Sequence, residues 1–81
     1  MNEQEIRDAV FQALGKIAPD VNMESIDPSV RFRDQMEFDS VDCLNLITRL
    51  EKATGVKVPE SDYPGLSFLD GIVAYFSDKV Q

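Results

Sequence analysis

Three stretches of the sequence repeat apolar residues at helical spacing, and this pattern constrains the fold more than any other feature. Apolar side chains three or four residues apart form one face of an α-helix, which must be buried against another element. Eighty-one residues are enough for one modest core but not for two. The sequence therefore predicts a single all-α domain over residues 1–81, with main helices at 3–17, 40–54 and 68–80. The residues predicted to face inward are Ile6, Val10, Phe11, Ala13, Leu14 and Ile17, then Cys43, Leu44, Leu46, Ile47, Leu50 and Ala53, and finally Leu69, Ile72, Val73, Phe76 and Val80.

The connections between these helices are unequal in length. Residues 18–38 form a long first loop with two prolines and no sustained period. Loops longer than about 12–15 residues are uncommon in compact domains unless they are functional or pinned. After the second main helix, residues 56–59 are predicted to be extended, and residues 60–66 to contain one helical turn cut short at Pro64. The apolar residues expected to anchor the first loop are Val21, Met23, Ile26, Val30 and Phe32.

Capping residues mark where the helices begin and end. The predicted N-caps are Asn2, Asp39 and Ser67. Asn2 pairs with Glu5, Ser67 pairs with Asp70, and Asp39 has Asp42 in the first turn of its helix. Gly55 is the predicted C-cap. Gly71 lowers helix propensity in the last helix and is a candidate for close helix packing. Glu51 projects near the apolar side of its helix, and its carboxylate is expected to reach out to solvent.

The charge balance limits the classes of partner. Fifteen acidic residues outnumber eight basic ones, which leaves a net charge of -7. Nucleic acids and anionic membrane surfaces attract basic patches, so the composition argues against both and favours basic protein partners. The N-terminus lacks the features of a signal peptide, and no apolar run is long enough to span a membrane. A single cysteine, Cys43, suits a reducing compartment, so the sequence predicts a cytoplasmic protein without membrane insertion.

The absence of histidine excludes the usual kinds of catalytic and metal site. A nucleophilic serine or cysteine normally needs a neighbouring base, most often histidine. One cysteine without histidine also cannot complete a zinc shell. A calcium loop around Asp34, Glu37 and Asp39 is a weaker alternative, because it lacks the glycine and the terminal glutamate of an EF-hand. The sequence therefore predicts no enzyme, no catalytic residue and no metal site.

One serine nevertheless occupies a position suited to chemistry by another protein. Ser40 follows the N-cap Asp39, at the predicted start of the most strongly patterned helix. The N–H groups and the positive dipole end of a helix N-terminus favour a phosphate. Capping chemistry alone would also account for a serine at this place. The hypothesis from these residues is that Ser40 is a point of covalent attachment.

The surroundings of Ser40 resemble a known family. Asp39-Ser40-Val41-Asp42, together with flanking residues between 32 and 55, is similar to the phosphopantetheine-attachment region of acyl carrier proteins. The flanking residues that carry this resemblance are Phe32, Asp34, Leu44, Ile47, Leu50, Glu51 and Gly55. The resemblance implies an acyl-carrier-like bundle with a long first loop and a short third helix, in which Pro64 puts the regularity of that short helix in question.

The resemblance also implies a function. A phosphopantetheinyl transferase would move 4′-phosphopantetheine from coenzyme A onto Ser40, with Asp39 in support. The arm would carry acyl groups as thioesters, loaded by a ligase or acyltransferase, to fatty-acid, lipid or polyketide-type biosynthetic enzymes. In this family the motif aspartate and the acidic helix dock on basic patches of partner enzymes. Val41, Asp42 and Asn45 are the predicted partner contacts, and the chain is expected to be a monomer.

Some residues of this chain depart from the family pattern, and these departures bear on which enzymes the chain would bind. Glu37 stands where a glycine is common, and Val41 replaces the motif leucine. Asn45, Arg49 and Lys52 occupy the outer face of a helix that is typically acidic in carriers of fatty-acid synthesis. The recognition face is then nearly neutral by charge count, which predicts a specialised carrier with a dedicated synthetase or transferase. Two alternatives remain: an aminoacyl or peptidyl carrier with the same arm, and an unmodified acidic interaction module.

Overall fold

The computed structural model describes residues 1–80, and the regular elements there are all helical. Gln81, the last residue of the predicted domain, lies outside the described residues. No helix within residues 1–80 is long and apolar enough to cross a membrane. The predicted bundle of three main helices, one short helix and a long first loop is confirmed. The α-helices are α1 (Glu3–Ile17), α2 (Phe32–Gln35), α3 (Ser40–Thr54) and α4 (Leu69–Val80), and two 3₁₀ helices cover Met23–Ser25 and Glu60–Leu66.

The core lies where α3 and α4 pack on α1. Most of the residues predicted to face inward are buried, which confirms the helical periodicity from which they were predicted. Two residues predicted to face inward do not: Leu44 is 49% exposed, and Ala53 is also exposed. The reason is that α3 is covered along one narrow stripe, at Leu46, Ile47 and Leu50, and its flanks are left open. The fully buried side chains are Ile6, Val10, Leu14, Phe32, Leu46, Ile47, Leu50, Leu66, Leu69, Ile72 and Phe76.

The long loop is ordered by its apolar anchors, as predicted. Phe32 and Ile26 are buried in the core, and Val21 and Met23 pack against it, whereas the fifth predicted anchor, Val30, is half-buried and does not pack on the core. The loop also contains short helical elements that its irregular sequence did not indicate, Met23–Ser25 and α2. Hydrogen bonds from the Gln35 side chain stabilise the loop. Its amide oxygen accepts the N–H of Asp27 (2.8 Å), and its amide nitrogen donates to two loop carbonyls.

The start of α4 differs from the prediction. The Ser67 hydroxyl donates to the carbonyl of Pro64 (3.2 Å) and does not cap the helix. The N–H of Asp70 donates instead to the backbone carbonyl of Pro28 in the first loop (2.9 Å). The predicted Ser67–Asp70 capping box is therefore wrong, because a distant segment satisfies a donor that the sequence pattern assigned to a local partner.

The short helix before α4 is longer than predicted. It runs from Glu60 to Leu66 and includes Pro64, which was expected to end it. Tertiary contacts hold it in place at both ends, because Leu66 is 1% exposed and Asp62 accepts a hydrogen bond from the Tyr75 hydroxyl (2.8 Å). Packing on α4 thus outweighs the local effect of the proline.

Glu51 has a structural role that its position on the helical wheel did not reveal. Its Oε2 atom accepts the backbone N–H of Val58 at 2.8 Å, and Val58 is 7% exposed. The expectation that this carboxylate reaches out to solvent is wrong. The hydrogen bond ties the extended segment 56–59 back onto the last turn of α3.

Glu51→Ala is expected to lower the free energy of unfolding by about 1–3 kcal/mol, because it leaves the Val58 N–H without its acceptor. Glu51→Gln keeps an acceptor oxygen at the same place and should lose less. Urea denaturation followed by circular dichroism measures both. Equal losses in the two variants would show that charge matters and the acceptor does not.

Candidate functional site

Ser40 is the first residue of α3, and a reciprocal capping box presents it. The N–H of Asp42 donates to Oδ1 of Asp39 (2.8 Å), and the N–H of Asp39 donates to Oδ2 of Asp42 (3.2 Å). Asp39 has extended backbone angles (φ -94°, ψ -177°), so the chain turns sharply into the helix at this point. Ser40 itself is exposed, and within residues 1–80 its hydroxyl makes no hydrogen bond. The predicted N-cap is confirmed, and it leaves the Ser40 oxygen accessible.

The same geometry leaves backbone N–H donors at the helix end beside the hydroxyl. The first N–H groups of a helix have no carbonyl partner within it. Asp39 accepts the N–H groups of Asp42 and Cys43, the first with its side chain and the second with its backbone carbonyl. The N–H groups of Ser40 and Val41 remain at the end of α3, where they and the helix dipole favour a phosphate oxygen.

An apolar cleft of about 470 Å³ opens beside Ser40. It is formed by three separate parts of the chain: the end of the first loop with α2, the first turns of α3, and the Glu60–Leu66 helix. Exposed Arg33, Asp39 and Glu60 supply its charged lining. The apolar lining consists of Phe32, Phe38, Cys43, Leu44, Tyr63 and Pro64.

The walls of the cleft are braced against each other. The Phe32 and Phe38 rings lie 5.2 Å apart between centroids. The N–H of Phe32 donates to the carbonyl of Ser67 (2.9 Å), which joins α2 to the segment before α4. These contacts hold the cleft open at the end of the bundle where Ser40 lies.

The predicted partner-contact residues lie on or next to the same helix end. Val41 is 71% exposed, and Asn45 is exposed one turn further along α3. Asp42 is half-buried, because its carboxylate belongs to the capping box. The structure therefore brings Ser40, Val41 and Asn45 onto one accessible surface, and their role as partner contacts stays a prediction.

Sequence reasoning missed several residues of the cleft. Phe38, Tyr63 and Arg33 line it beside Ser40, yet none of them belongs to the periodic stripe of a main helix. Their only sequence signal was an aromatic or basic residue in a loop or a short helix. Because Tyr63 lies 25 residues after Phe38 in the chain, no local pattern could have grouped it with Arg33 and Phe38.

The carboxylates of the alternative calcium loop do not converge. Asp34 pairs with Arg31 at 2.9 Å, and Asp39 caps α3. Among residues 1–80, no three side chains of the types that bind metals are grouped closely enough to hold an ion. The structure thus offers no support for the calcium hypothesis.

Cys43 lies one turn below Ser40, and burial raises the pKa of its thiol. A raised pKa leaves less thiolate at a given pH, and the thiolate is the reactive form. We expect iodoacetamide to alkylate Cys43 at pH 8 more slowly in the folded chain than in the chain unfolded in urea. The difference should narrow as the pH rises above the raised pKa. Equal rates in both states at pH 8 would contradict this prediction.

Comparison with known proteins agrees with this geometry. Residues 4–76 match the family model described as "Phosphopantetheine attachment site". The chain is 32% identical over 80 residues to the acyl carrier protein of Chlorobium luteolum, an alignment that covers 98% of this chain and 100% of that protein. It is 29% identical over 72 residues to the acyl carrier protein of Rubrobacter xylanophilus, with 85% and 89% of the two chains covered. The chain therefore belongs to the acyl carrier protein family, whose members carry a 4′-phosphopantetheine prosthetic group.

Proposed function

We propose that Ser40 is the attachment point of 4′-phosphopantetheine and that the chain carries acyl groups between enzymes of fatty-acid, lipid or polyketide-type biosynthesis. The observation that carries this proposal is the Ser40 hydroxyl, exposed on the first residue of α3 and bordered by the apolar cleft. Residues 4–76, which match the family model described as "Phosphopantetheine attachment site", include this helix end.

The residues around Ser40 fit such a group. Its phosphodiester is suited to the helix end, where the N–H groups of Ser40 and Val41 have no carbonyl partner within the helix. The apolar walls formed by Phe38 and Tyr63 suit the methylene part of the arm. When attached, the arm supplies a terminal thiol that holds an acyl group as a thioester.

The chain contributes position, and its partner contributes the chemistry of attachment. With no histidine in the sequence, this chain lacks the usual base for deprotonating Ser40. A phosphopantetheinyl transferase must therefore accept the proton as the serine oxygen bonds to phosphorus and the nucleotide part of coenzyme A leaves. Asp39 supports this step by fixing the start of α3 through its capping box with Asp42.

The proposed carrier is specialised and acts as a monomeric, single domain. Asn45, Arg49 and Lys52 on the exposed side of α3 replace the acids typical of carriers in general fatty-acid synthesis. A dedicated ligase or acyltransferase is the loading enzyme that this departure favours. Efficient reaction with the enzymes of general fatty-acid elongation would argue against specialisation.

The test is intact-mass spectrometry of the purified chain after incubation with coenzyme A and a broad-specificity phosphopantetheinyl transferase. We expect a gain of one phosphopantetheinyl group, located by peptide mapping to the peptide that contains Ser40. An unmodified chain, or a modified residue elsewhere, would overturn the proposal and leave a small acidic bundle.

A further inference from the structure

The outer face of α3 differs in charge from the rest of the chain. We define this face by six exposed residues: Val41, Leu44, Asn45, Thr48, Arg49 and Lys52. Each of them has another member of the set three or four residues away, so the six side chains lie on neighbouring rows of the helix surface. The face contains no acidic residue, although the chain as a whole carries a net charge of -7.

The two acidic residues of α3 accept backbone hydrogen bonds from residues outside this face. The carboxylate of Asp42 accepts the N–H of Asp39 in the capping box (3.2 Å). The carboxylate of Glu51 accepts the N–H of Val58 (2.8 Å) on the side of the helix where the extended segment runs. The six residues of the outer face themselves carry two positive charges, on Arg49 and Lys52, and no negative charge. That face is basic.

The two basic side chains are available to a partner. The ion pairs within residues 1–80 are Arg7 with Glu3 and Arg31 with Asp34, and neither involves Arg49 or Lys52. The Nε atom of Arg49 donates to Oδ1 of Asn45 (3.2 Å), which orients the guanidinium group along the helix. Its terminal nitrogens make no hydrogen bond within residues 1–80, so they are able to bind a carboxylate.

Apolar contact area lies next to these charges. Val41 is 71% exposed and Leu44 is 49% exposed, both within the first two turns after Ser40. At a rise of about 1.5 Å per residue, Arg49 and Lys52 stand roughly 14 and 18 Å further along the helix axis than Ser40. A protein that receives the arm from Ser40 would thus meet the apolar residues first and the basic residues beyond them.

We propose that the partner enzymes of this carrier present an acidic patch to Arg49 and Lys52, next to an apolar contact for Val41 and Leu44. This inference rests on the proposed function, because it concerns the surface around the same attachment serine, and for this surface it replaces the basic partners expected from the net charge. Charge complementarity is its basis: exposed, unpaired basic groups select carboxylates across an interface and disfavour a basic surface. The patch on the partner lies roughly 15 Å from the point where the arm enters.

A charge-swap experiment tests this inference. The probe is a malonyl transferase of general fatty-acid synthesis with a basic carrier-docking surface, together with its variant in which that surface is changed to glutamates. Each enzyme is tested with the wild-type chain and with the double variant Arg49→Glu/Lys52→Glu. Two quantities are measured: the dissociation constant of the unmodified chains, by fluorescence anisotropy, and kcat/KM for malonyl transfer to the modified chains.

The wild-type chain should bind the acidic variant of the enzyme about tenfold more tightly than the native basic enzyme. The double variant should reverse this order. The same order is expected in kcat/KM. If the wild-type chain prefers the basic enzyme, or if the double variant changes nothing, the inference is overturned.

The control separates local charge from net charge. Lys16→Glu/Lys79→Glu makes the same total change at two exposed lysines near the ends of α1 and α4. This variant should keep the wild-type order, and a reversal as large as that of the α3 variant would also overturn the inference. Because the anisotropy measurement uses unmodified chains, it reports on docking even if Ser40 accepts no phosphopantetheine.

Discussion

Ser40→Ala is expected to abolish phosphopantetheine attachment completely while leaving the fold unchanged. The substitution removes the oxygen atom that is proposed to form the phosphate ester. It should alter stability by less than about 0.5 kcal/mol, because the hydroxyl is exposed and makes no hydrogen bond within residues 1–80. Intact mass after treatment with coenzyme A and the transferase measures attachment, and thermal unfolding by circular dichroism measures stability.

Ser67→Ala is the matched control for this experiment. Ser67 lines the same cleft, but its hydroxyl donates to the carbonyl of Pro64 and does not lie at the start of α3. The Ser67 variant should therefore be modified as fully as the wild type. Modification of the Ser40 variant would show that another residue is the acceptor. An unmodified acidic module, the rival hypothesis, instead predicts that Ser40→Ala leaves every function intact.

Gly71→Ala is expected to destabilise the chain strongly, although alanine is the better helix former. A Cβ atom at position 71 would collide with the backbone carbonyl oxygen of Gly65 and lie 3.0 Å from the ring of Phe68. A backbone carbonyl cannot move aside without shifting the Glu60–Leu66 helix away from α4. We expect a loss of about 1–3 kcal/mol, typical of overpacking. The free energy of unfolding of a bundle of this size is only about 3–5 kcal/mol. The melting temperature should therefore fall by roughly 10 °C.

Gly15→Ala is expected to have the opposite effect on stability in the same protein. A Cβ atom at position 15 would have no atom within 4 Å, and Gly15 lies in α1 near its end. Alanine should stabilise the chain there by about 0.5–1 kcal/mol through helix propensity. Thermal and urea unfolding of the two variants measure the difference. If Gly71→Ala also proved stabilising, the close approach of α4 to residue 65 would not be a real constraint.

Much of the fold and the position of Ser40 were predictable, because their determinants are local. The α1 stripe of Ile6, Val10 and Ala13 and the capping groups of Asn2 and Asp39 depend on residues a few positions apart. Such spacing is legible in a sequence, since side chains three or four residues apart meet on a helix whatever the rest of the chain does. The prediction that a serine begins α3 belongs to this class and is confirmed.

The failed predictions depend on how segments pack against one another. Asp70 donates to Pro28 and not to Ser67, and Glu51 accepts the N–H of Val58. Leu44 carries the same apolar signal as Leu46, yet half of its surface stays exposed because no other segment covers that flank of α3. Local pattern cannot reveal which of several possible partners a group meets once the helices have packed.

The sequence by itself thus determined the three main helices, the N-caps of α1 and α3 and the placement of one exposed hydroxyl, since these follow from hydrogen bonds and periodicity within a few turns. Tertiary structure alone decided the cleft beside Ser40, which Phe38 and Tyr63 line from separate segments. It also decided the partner of the Glu51 carboxylate, which accepts the N–H of Val58 in the segment 56–59. Charge and shape at a surface depend on where side chains are held, and that is settled only when the core forms.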